Sequence, residues 1–162
     1  GRWLTYEALR DWLPYRWEEV ITQQSTTKGQ VIESTIPLLA LPLRPGGFEL
    51  WLGARRVLPN AHLCLRGIPG IIEKNAGVVI FIDQIAKGEH LMKVLSELKT
   101  LKVEESRTRV ITAVASNPGL KKLAEHMPNL TIYTACIDPD LTETNEISPG
   151  IGNPSERLNT RV

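Results

Sequence analysis

The chain is expected to fold as an α/β protein built on an open, mostly parallel, twisted sheet with helices on both faces. Two observations predict this. The apolar runs at 36–41, 61–65, 77–82, 110–115 and 130–137 are near-continuous rather than alternating, as in strands buried on both faces. Helical patterns at 88–102 and 119–127 separate the last three runs. Strands joined through helices return to the same end of the sheet and therefore pair in parallel.

Taken in order, the segment 1–13 places Trp3, Tyr6 and Leu13 near one side of a helix, with Ala8 and Leu9 between them, and Pro14 stops it. Trp3, Tyr6, Trp12, Tyr15 and Trp17 crowd into this opening stretch. Such density suits core packing or a partner surface, and core packing is the simpler reading. An exposed hairpin is expected around Thr27–Lys28–Gly29. After the strand at 36–41, Gly46 and Gly47 open a helical stretch to about Val57. In the helix at 88–102, Leu91, Leu95, Leu98 and Leu101 recur at spacings of three and four, so this stripe faces the sheet while Lys93, Glu97 and Lys102 face water. From Asp138 the chain is rich in Pro, Gly, Asn and Thr, with Ile147 and Ile151 as apolar anchors, which predicts a shaped loop over the sheet.

With 162 residues the chain is the size of one ordinary domain, expected to span 1–162 with an N-terminal helix and hairpin (1–35), an α/β core (36–137) and a C-terminal loop (138–162). Hydrophobic residues make up 42% and charged residues 23%, and no stretch approaches the ~20 apolar residues of a membrane span, so a soluble protein is expected. A formal charge of +1 gives no basic footprint for nucleic acid. Cys64 and Cys136 sit in apolar runs without a CxxC pair, and His62, His90 and His126 are widely scattered. No metal site is expected, and a reducing compartment fits. The sequence opens at Gly1 without an initiator methionine or signal-peptide pattern, which suggests a processed or partial chain.

Ligands of open α/β sheets bind beyond the carboxyl ends of the strands, so the segments following each strand carry the functional reading. The stretch Ile132–Tyr133–Thr134–Ala135–Cys136–Ile137–Asp138, followed by Leu141, Glu143, Pro149–Gly150–Ile151–Gly152 and Glu156–Arg157, resembles the uracil-binding C-terminal signature of uracil phosphoribosyltransferases without a gap. The opening Gly1–Arg2–Trp3–Leu4–Thr5–Tyr6–Glu7–Ala8–Leu9–Arg10–Asp11 is similar to that family's N-terminal segment, and Leu43–Arg44–Pro45–Gly46 stands where its Leu-Arg-Ala-Gly pyrophosphate loop stands. The resemblance covers nearly the whole chain. It implies a phosphoribosyltransferase-type sheet and a role near pyrimidine salvage, in which uracil and phosphoribosyl pyrophosphate (PRPP) give UMP and pyrophosphate with magnesium. By resemblance, uracil is read mostly by main-chain groups of the last loop, with Tyr133, Ile147, Gly152 and Asn153 at the family's base-binding positions.

The donor loop departs furthest from the family. Where the family reads Asp-Pro-Met-Leu-Ala-Thr-Gly-Gly-Ser, this chain reads Ile82–Asp83–Gln84–Ile85–Ala86–Lys87–Gly88–Glu89–His90. A glycine turn here cradles the 5′-phosphate with its amides and the following helix N-terminus. Asp83, Ala86, Lys87, Gly88, Glu89 and His90 are therefore the candidate donor-loop residues, and Glu89 is expected to repel the phosphate if it faces it. Lys87 offsets that in part and fits a different anion. The bland alternative for Gly88–Glu89 is a solvated turn whose acidic residue favours the helix dipole. Only residues 66–76 remain where the family carries a long arm that closes over the donor, and Pro45 removes one amide from the pyrophosphate loop, leaving Arg44 and Gly46. Three further changes are Glu146 for the family's tyrosine, Asn153 for its first aspartate after the glycine pair and Glu156 for its second.

These departures predict a non-catalytic binding or assembly module with a uracil or UMP pocket, without a cofactor of its own. The alternative is an active uracil phosphoribosyltransferase using magnesium with PRPP, and a sensor of uracil nucleotides is a third reading. The expected assembly is a homodimer or a subunit of a larger complex, without nucleic acid, in the cytoplasm or an organelle stroma.

Overall fold

The computed structural model describes residues 1–152 and 157. Helix α1 (Arg2–Arg10) leads into an antiparallel pair, β1 (Tyr15–Ile21) with β2 (Thr26–Ile32). The main sheet then unfolds in order as β3 (Leu38–Pro42), α2 (Gly47–Ala54), β4 (His62–Leu63), β5 (Gly77–Ile85), α3 (Glu89–Thr100), β6 (Thr108–Ser116), α4 (Asn117–His126) and β7 (Thr131–Asp138). It has five strands in the order β4-β3-β5-β6-β7, every pair parallel. A short antiparallel hairpin, β8 (Asp140–Leu141) and β9 (Ile147–Ser148), closes the described chain.

The central apolar runs, in β3, β5 and β6, form buried strands because helices cover both faces, whereas the edge strands β4 and β7 are largely half-buried or exposed, contrary to the expectation for 61–65 and 130–137. Along β5, Val78, Ile80 and Ile82 pack with Leu91, Leu95 and Leu98 of α3 and Leu123 of α4. The intervening Val79 and Phe81 turn to the other face, against Ala8 and Leu9 of α1 and Trp51 and Ala54 of α2. Leu91, Leu95 and Leu98 thus lie on the sheet as their spacing predicts, whereas Leu101 falls just past the end of α3 and outside that core. Phe81 meets Trp51 edge to face, with ring centroids 5.7 Å apart. Burying a side chain of this size contributes about 1.5–3 kcal/mol.

Two expectations for the N-terminal segment need correction. Thr5, Ala8 and Leu9 form the buried face of α1, whereas Trp3 is 76% and Tyr6 50% exposed. The aromatic rings lie outside because α1 docks through small residues that let it approach the sheet closely. Trp12 is the ring that does pack: its indole N–H donates to the Ser106 carbonyl (2.9 Å), and the Arg109 guanidinium lies 4.9 Å from its ring centre. The hairpin turn falls at residues 22–25, not around Gly29. There the Thr22 hydroxyl donates to the Ser25 carbonyl (2.7 Å) and accepts from the Ser25 amide (3.0 Å). Thr27, Lys28 and Gly29 are strand residues opposite Val20, Glu19 and Glu18. A side-chain-closed turn at Thr22 settles the register without a glycine.

Candidate functional site

The loop after β3 is pressed onto the end of β5. The Leu43 amide donates to the Phe81 carbonyl (2.7 Å), and the Gly47 amide to the Leu43 carbonyl (2.8 Å). A Cβ on Gly46 would fall 2.6 Å from Asp83 Cβ, and one on Gly47 2.1 Å from the Phe81 carbonyl oxygen, so only glycine permits the approach. The turn Arg44–Pro45–Gly46 is thereby held beside Asp83, with the Arg44 side chain exposed.

Beyond β5 the chain passes through Ala86, Lys87 and Gly88 into α3. Asp83 is buried, and its Oδ1 accepts from the Gln84 amide (2.9 Å). Ile82 is 5% exposed and belongs to the apolar core under α3 and α4, so a branched hydrocarbon occupies the position at which the resemblance implies an aspartate. Gly88 caps α3 in the left-handed region, φ 75°. The loop rests on the start of α4. The Ser116 hydroxyl donates to the Ala86 carbonyl (2.6 Å) while accepting from the Gly119 amide (3.0 Å), so one side chain both caps α4 and fastens the loop. A Cβ on Gly119 would sit 2.0 Å from the Ala86 carbonyl oxygen.

Glu89 is where the structure changes the electrostatic reading. It occupies the first position of α3 and accepts from Lys122 Nζ of α4 at 3.2 Å, with both side chains largely in solvent. Lys122, through its hydrogen bond and its charge, and then Lys87 hold the Glu89 carboxyl below its ordinary range. Its carboxylate is therefore paired with a cation of α4 while it still borders the loop.

At the far end of the sheet, β7 delivers Asp138, whose buried carboxylate accepts from the Gly150 amide through Oδ2 (3.0 Å). The Cys136 thiol donates to Oδ1 (3.5 Å), and this hydrogen bond, with burial and the nearby charge, pushes the thiol up. The turn itself requires glycine: Gly150 has φ 65°, and a Cβ there would lie 2.1 Å from the Ile147 carbonyl oxygen. Ile147 is buried beneath the hairpin, and the hairpin turn places Asn145 at its tip, φ 66°.

These segments converge. A cavity of about 380 Å³ at the carboxyl ends of β3 and β5 is lined by Arg44, Asp83, Lys87, Glu89, His90 and Asn145, among others. Three stretches far apart in the chain thus meet at one place: the loop after β3, the loop after β5 and the β8–β9 turn. A larger cavity of about 580 Å³ lies among Leu98, Lys102, Glu104 and Asn129 at the amino ends of the strands, away from all these loops. Tyr133 does not join them. It sits in mid-β7, paired with Ile111, and packs on the α1/α2 side of the sheet. Gly152 is described, with φ 73°, whereas Asn153 and Glu156 lie outside the described residues. The connection at 66–76 lies along the sheet, with Ile68 and Ile72 on the α3/α4 core.

Sequence reasoning missed Ser116, Gly119, Lys122 and Asn145. The first two carried a signal, since Ser116–Asn117–Pro118–Gly119 after an apolar strand is a helix start, and α4 begins at Asn117 rather than 119. Lys122 and Asn145 carried none, because their roles depend on contacts across the fold.

Among the described residues, no group of three His, Cys, Asp or Glu side chains is placed to hold a metal ion. No helix among them is long and apolar enough to cross a membrane.

The parallel sheet, with glycine loops meeting at its carboxyl edge, is an α/β fold of the phosphoribosyltransferase type. The structure titled "Structure of AQ2163 protein from Aquifex aeolicus" superposes with a TM-score of 0.78, covering 97% of this chain and 80% of that one at 24% identity, which shows a shared fold. The uracil phosphoribosyltransferase family profile matches residues 64–160. Proteins named uracil phosphoribosyltransferase are similar over nearly the whole chain: one from Synechococcus elongatus is 33% identical across 98% of this chain and 80% of its own length, and one from Nostoc sp. is 34% identical across 98% and 81%. The chloroplastic protein of Arabidopsis thaliana is 30% identical across 97% of this chain and 58% of its own. The chain belongs to the uracil phosphoribosyltransferase family.

Proposed function

We propose that residues 1–162 form one functional unit that transfers the phosphoribosyl group of PRPP to uracil, releasing pyrophosphate and UMP. The reading rests above all on the convergence of Arg44, the 83–90 loop and Asn145 on one cavity. The pairing of Glu89 with Lys122 supports it further, because it reduces the expected electrostatic objection to a phosphate at Gly88.

In this reading the amides around Gly88 and the N-terminus of α3 receive the 5′-phosphate, with Lys87 supplying charge. Main-chain groups between Ile147 and Gly152, braced by Asp138, present donors and acceptors to the planar base. The Arg44 turn faces the departing pyrophosphate. Magnesium bound to the donor would lower the charge on that leaving group. Asp83 is the carboxylate buried at the cavity that would meet such an ion, with the donor's own phosphate oxygens as its other ligands. Residues 66–76 do not line this cavity, so water is less excluded and turnover is expected to fall below the ~10 s⁻¹ common among enzymes. Self-association into a homodimer belongs to the same reading, with exposed Trp3, Tyr6 and Trp17 as its apolar surface.

Formation of UMP from uracil, PRPP and magnesium is the test, and product above background is the expected result. The second reading, a module that binds UMP without turnover, is favoured by Ile82, a core hydrocarbon where the family pattern has an aspartate. Calorimetric UMP binding with no product would establish it over the first.

A further inference from the structure

The turn that ends α3 is built on a lysine where helices favour glycine. Lys102 has φ 63°, and its amide donates to the Lys99 carbonyl (3.0 Å) while the Val103 amide donates to the Leu98 carbonyl (3.0 Å). This double closure is common at helix ends, and its left-handed residue is usually glycine because a Cβ is disfavoured there. The conformation is held from outside, since the Arg107 guanidinium donates to the carbonyls of Lys102 (3.0 Å) and Ala76 (3.1 Å). The helix dipole accounts for Lys99 in the last turn of α3, but not for a lysine kept in the left-handed position. Such an outlier points to a use for its side chain.

Lys102 borders the cavity of about 580 Å³ at the amino ends of the strands. The floor is apolar, made by the buried Leu95, Leu98, Val103 and Met127. The rim carries Lys99, Lys102, Glu104 and Glu105, and these charges are unequally committed. Glu104 accepts from the Ser106 hydroxyl (3.3 Å), and Glu105 from the Asn129 amide (2.8 Å). Among the described residues, neither Lys99 nor Lys102 has an ion pair or a side-chain hydrogen bond.

We infer that this cavity binds a small monocarboxylic acid with an apolar body, its carboxylate met by Lys99 and Lys102 and its hydrocarbon laid on Leu98, Val103 and Met127. Removing that hydrocarbon from water supplies the driving force, and the uncommitted ammonium groups select the charged end. Glu104, Glu105 and the carbonyl end of α3 disfavour a dianion such as a phosphate monoester, which limits the ligand to a single negative charge. The site lies at the end of the sheet opposite the donor cavity, so the inference stands whether or not phosphoribosyl transfer occurs.

Titration of the intact chain with octanoate, followed through the methyl resonances of isotope-labelled methionine, tests this. The sequence has two methionines, of which Met127 lines the cavity and Met92 does not. The Met127 signal is expected to shift while that of Met92 stays. Octylamine, protonated at neutral pH, presents the same hydrocarbon with the opposite charge and is expected to bind about tenfold more weakly. Lys99→Gln and Lys102→Gly are each expected to weaken octanoate about fivefold, the loss of one exposed charged contact. Lys102→Gly is also expected to raise Tm by relieving the left-handed position, so weaker binding there is not misfolding. Lys121→Gln, exposed on α4, controls for overall charge and is expected to bind as wild type does. The inference is overturned if octanoate leaves the Met127 signal in place, or if both Lys99→Gln and Lys102→Gly bind within twofold of wild type. An equal loss in Lys121→Gln overturns it too, as does octylamine binding as tightly as octanoate, which would show that the carboxylates govern the cavity.

Discussion

Replacing Ser116 by alanine removes a single oxygen that serves two partners. That oxygen belongs to a fully buried residue, caps α4 through the Gly119 amide at 3.0 Å, and holds the Ala86 carbonyl at 2.6 Å. Loss of a serine N-cap costs about 1 kcal/mol. A carbonyl deprived of its donor in a partly buried loop costs about another 1 kcal/mol. The sum, about 2 kcal/mol, corresponds to a fall in Tm of roughly 4–8 °C for a chain of this size. Urea unfolding monitored by tryptophan fluorescence measures the first quantity and calorimetry the second. Ser96→Ala is the matched control, since Ser96 is exposed in mid-α3 and its hydroxyl donates back to the Met92 carbonyl at 2.9 Å, a bond with little expected effect. If Ser116→Ala loses less than about 0.5 kcal/mol, or no more than the Ser96 variant, the double role of this hydroxyl is wrong.

Lys122→Ala frees the Glu89 carboxylate beside Gly88, so UMP affinity is expected to drop and to recover in Lys122→Ala/Glu89→Gln; equal affinities in all three proteins would dismiss Glu89 as a factor. Hydrogen bonds from Thr35 and then Arg16 hold the Glu33 carboxyl at about 2 against an ordinary 4.5, so its contribution to stability is full above about pH 4.5 and disappears as pH falls toward 2. Thermal unfolding of wild type and Glu33→Gln should therefore differ at pH 6 and converge near pH 2; a constant difference argues against it. Light scattering at micromolar concentration should give a dimer mass that Trp17→Lys shifts toward monomer, and a wild-type monomer mass would remove the apolar surface of Trp3, Tyr6 and Trp17 from consideration as a self-association site.

The sequence alone determined the sheet and its handling of the core. Continuous apolar runs and a leucine stripe at helical spacing report burial directly, because strands covered on both faces have no polar positions to alternate. The family resemblance in the last loop was equally legible, since Asp138, Ile147 and Gly150 are the residues that shape that turn. The outward position of Trp3 and Tyr6 was not legible: an aromatic ring suits core and surface alike, and the choice fell to the small residues Thr5 and Ala8 on the opposite side of the helix. The direction of Glu89 was likewise undecidable from its place beside Gly88. A carboxylate at that position faces either a phosphate or a neighbouring helix, and the difference is set by Lys122, a residue far along the chain that α4 carries to within 3.2 Å. Local pattern encodes which face is buried, whereas the direction and pairing of a surface charge depend on which helix is folded beside it, and that is decided only by the tertiary structure.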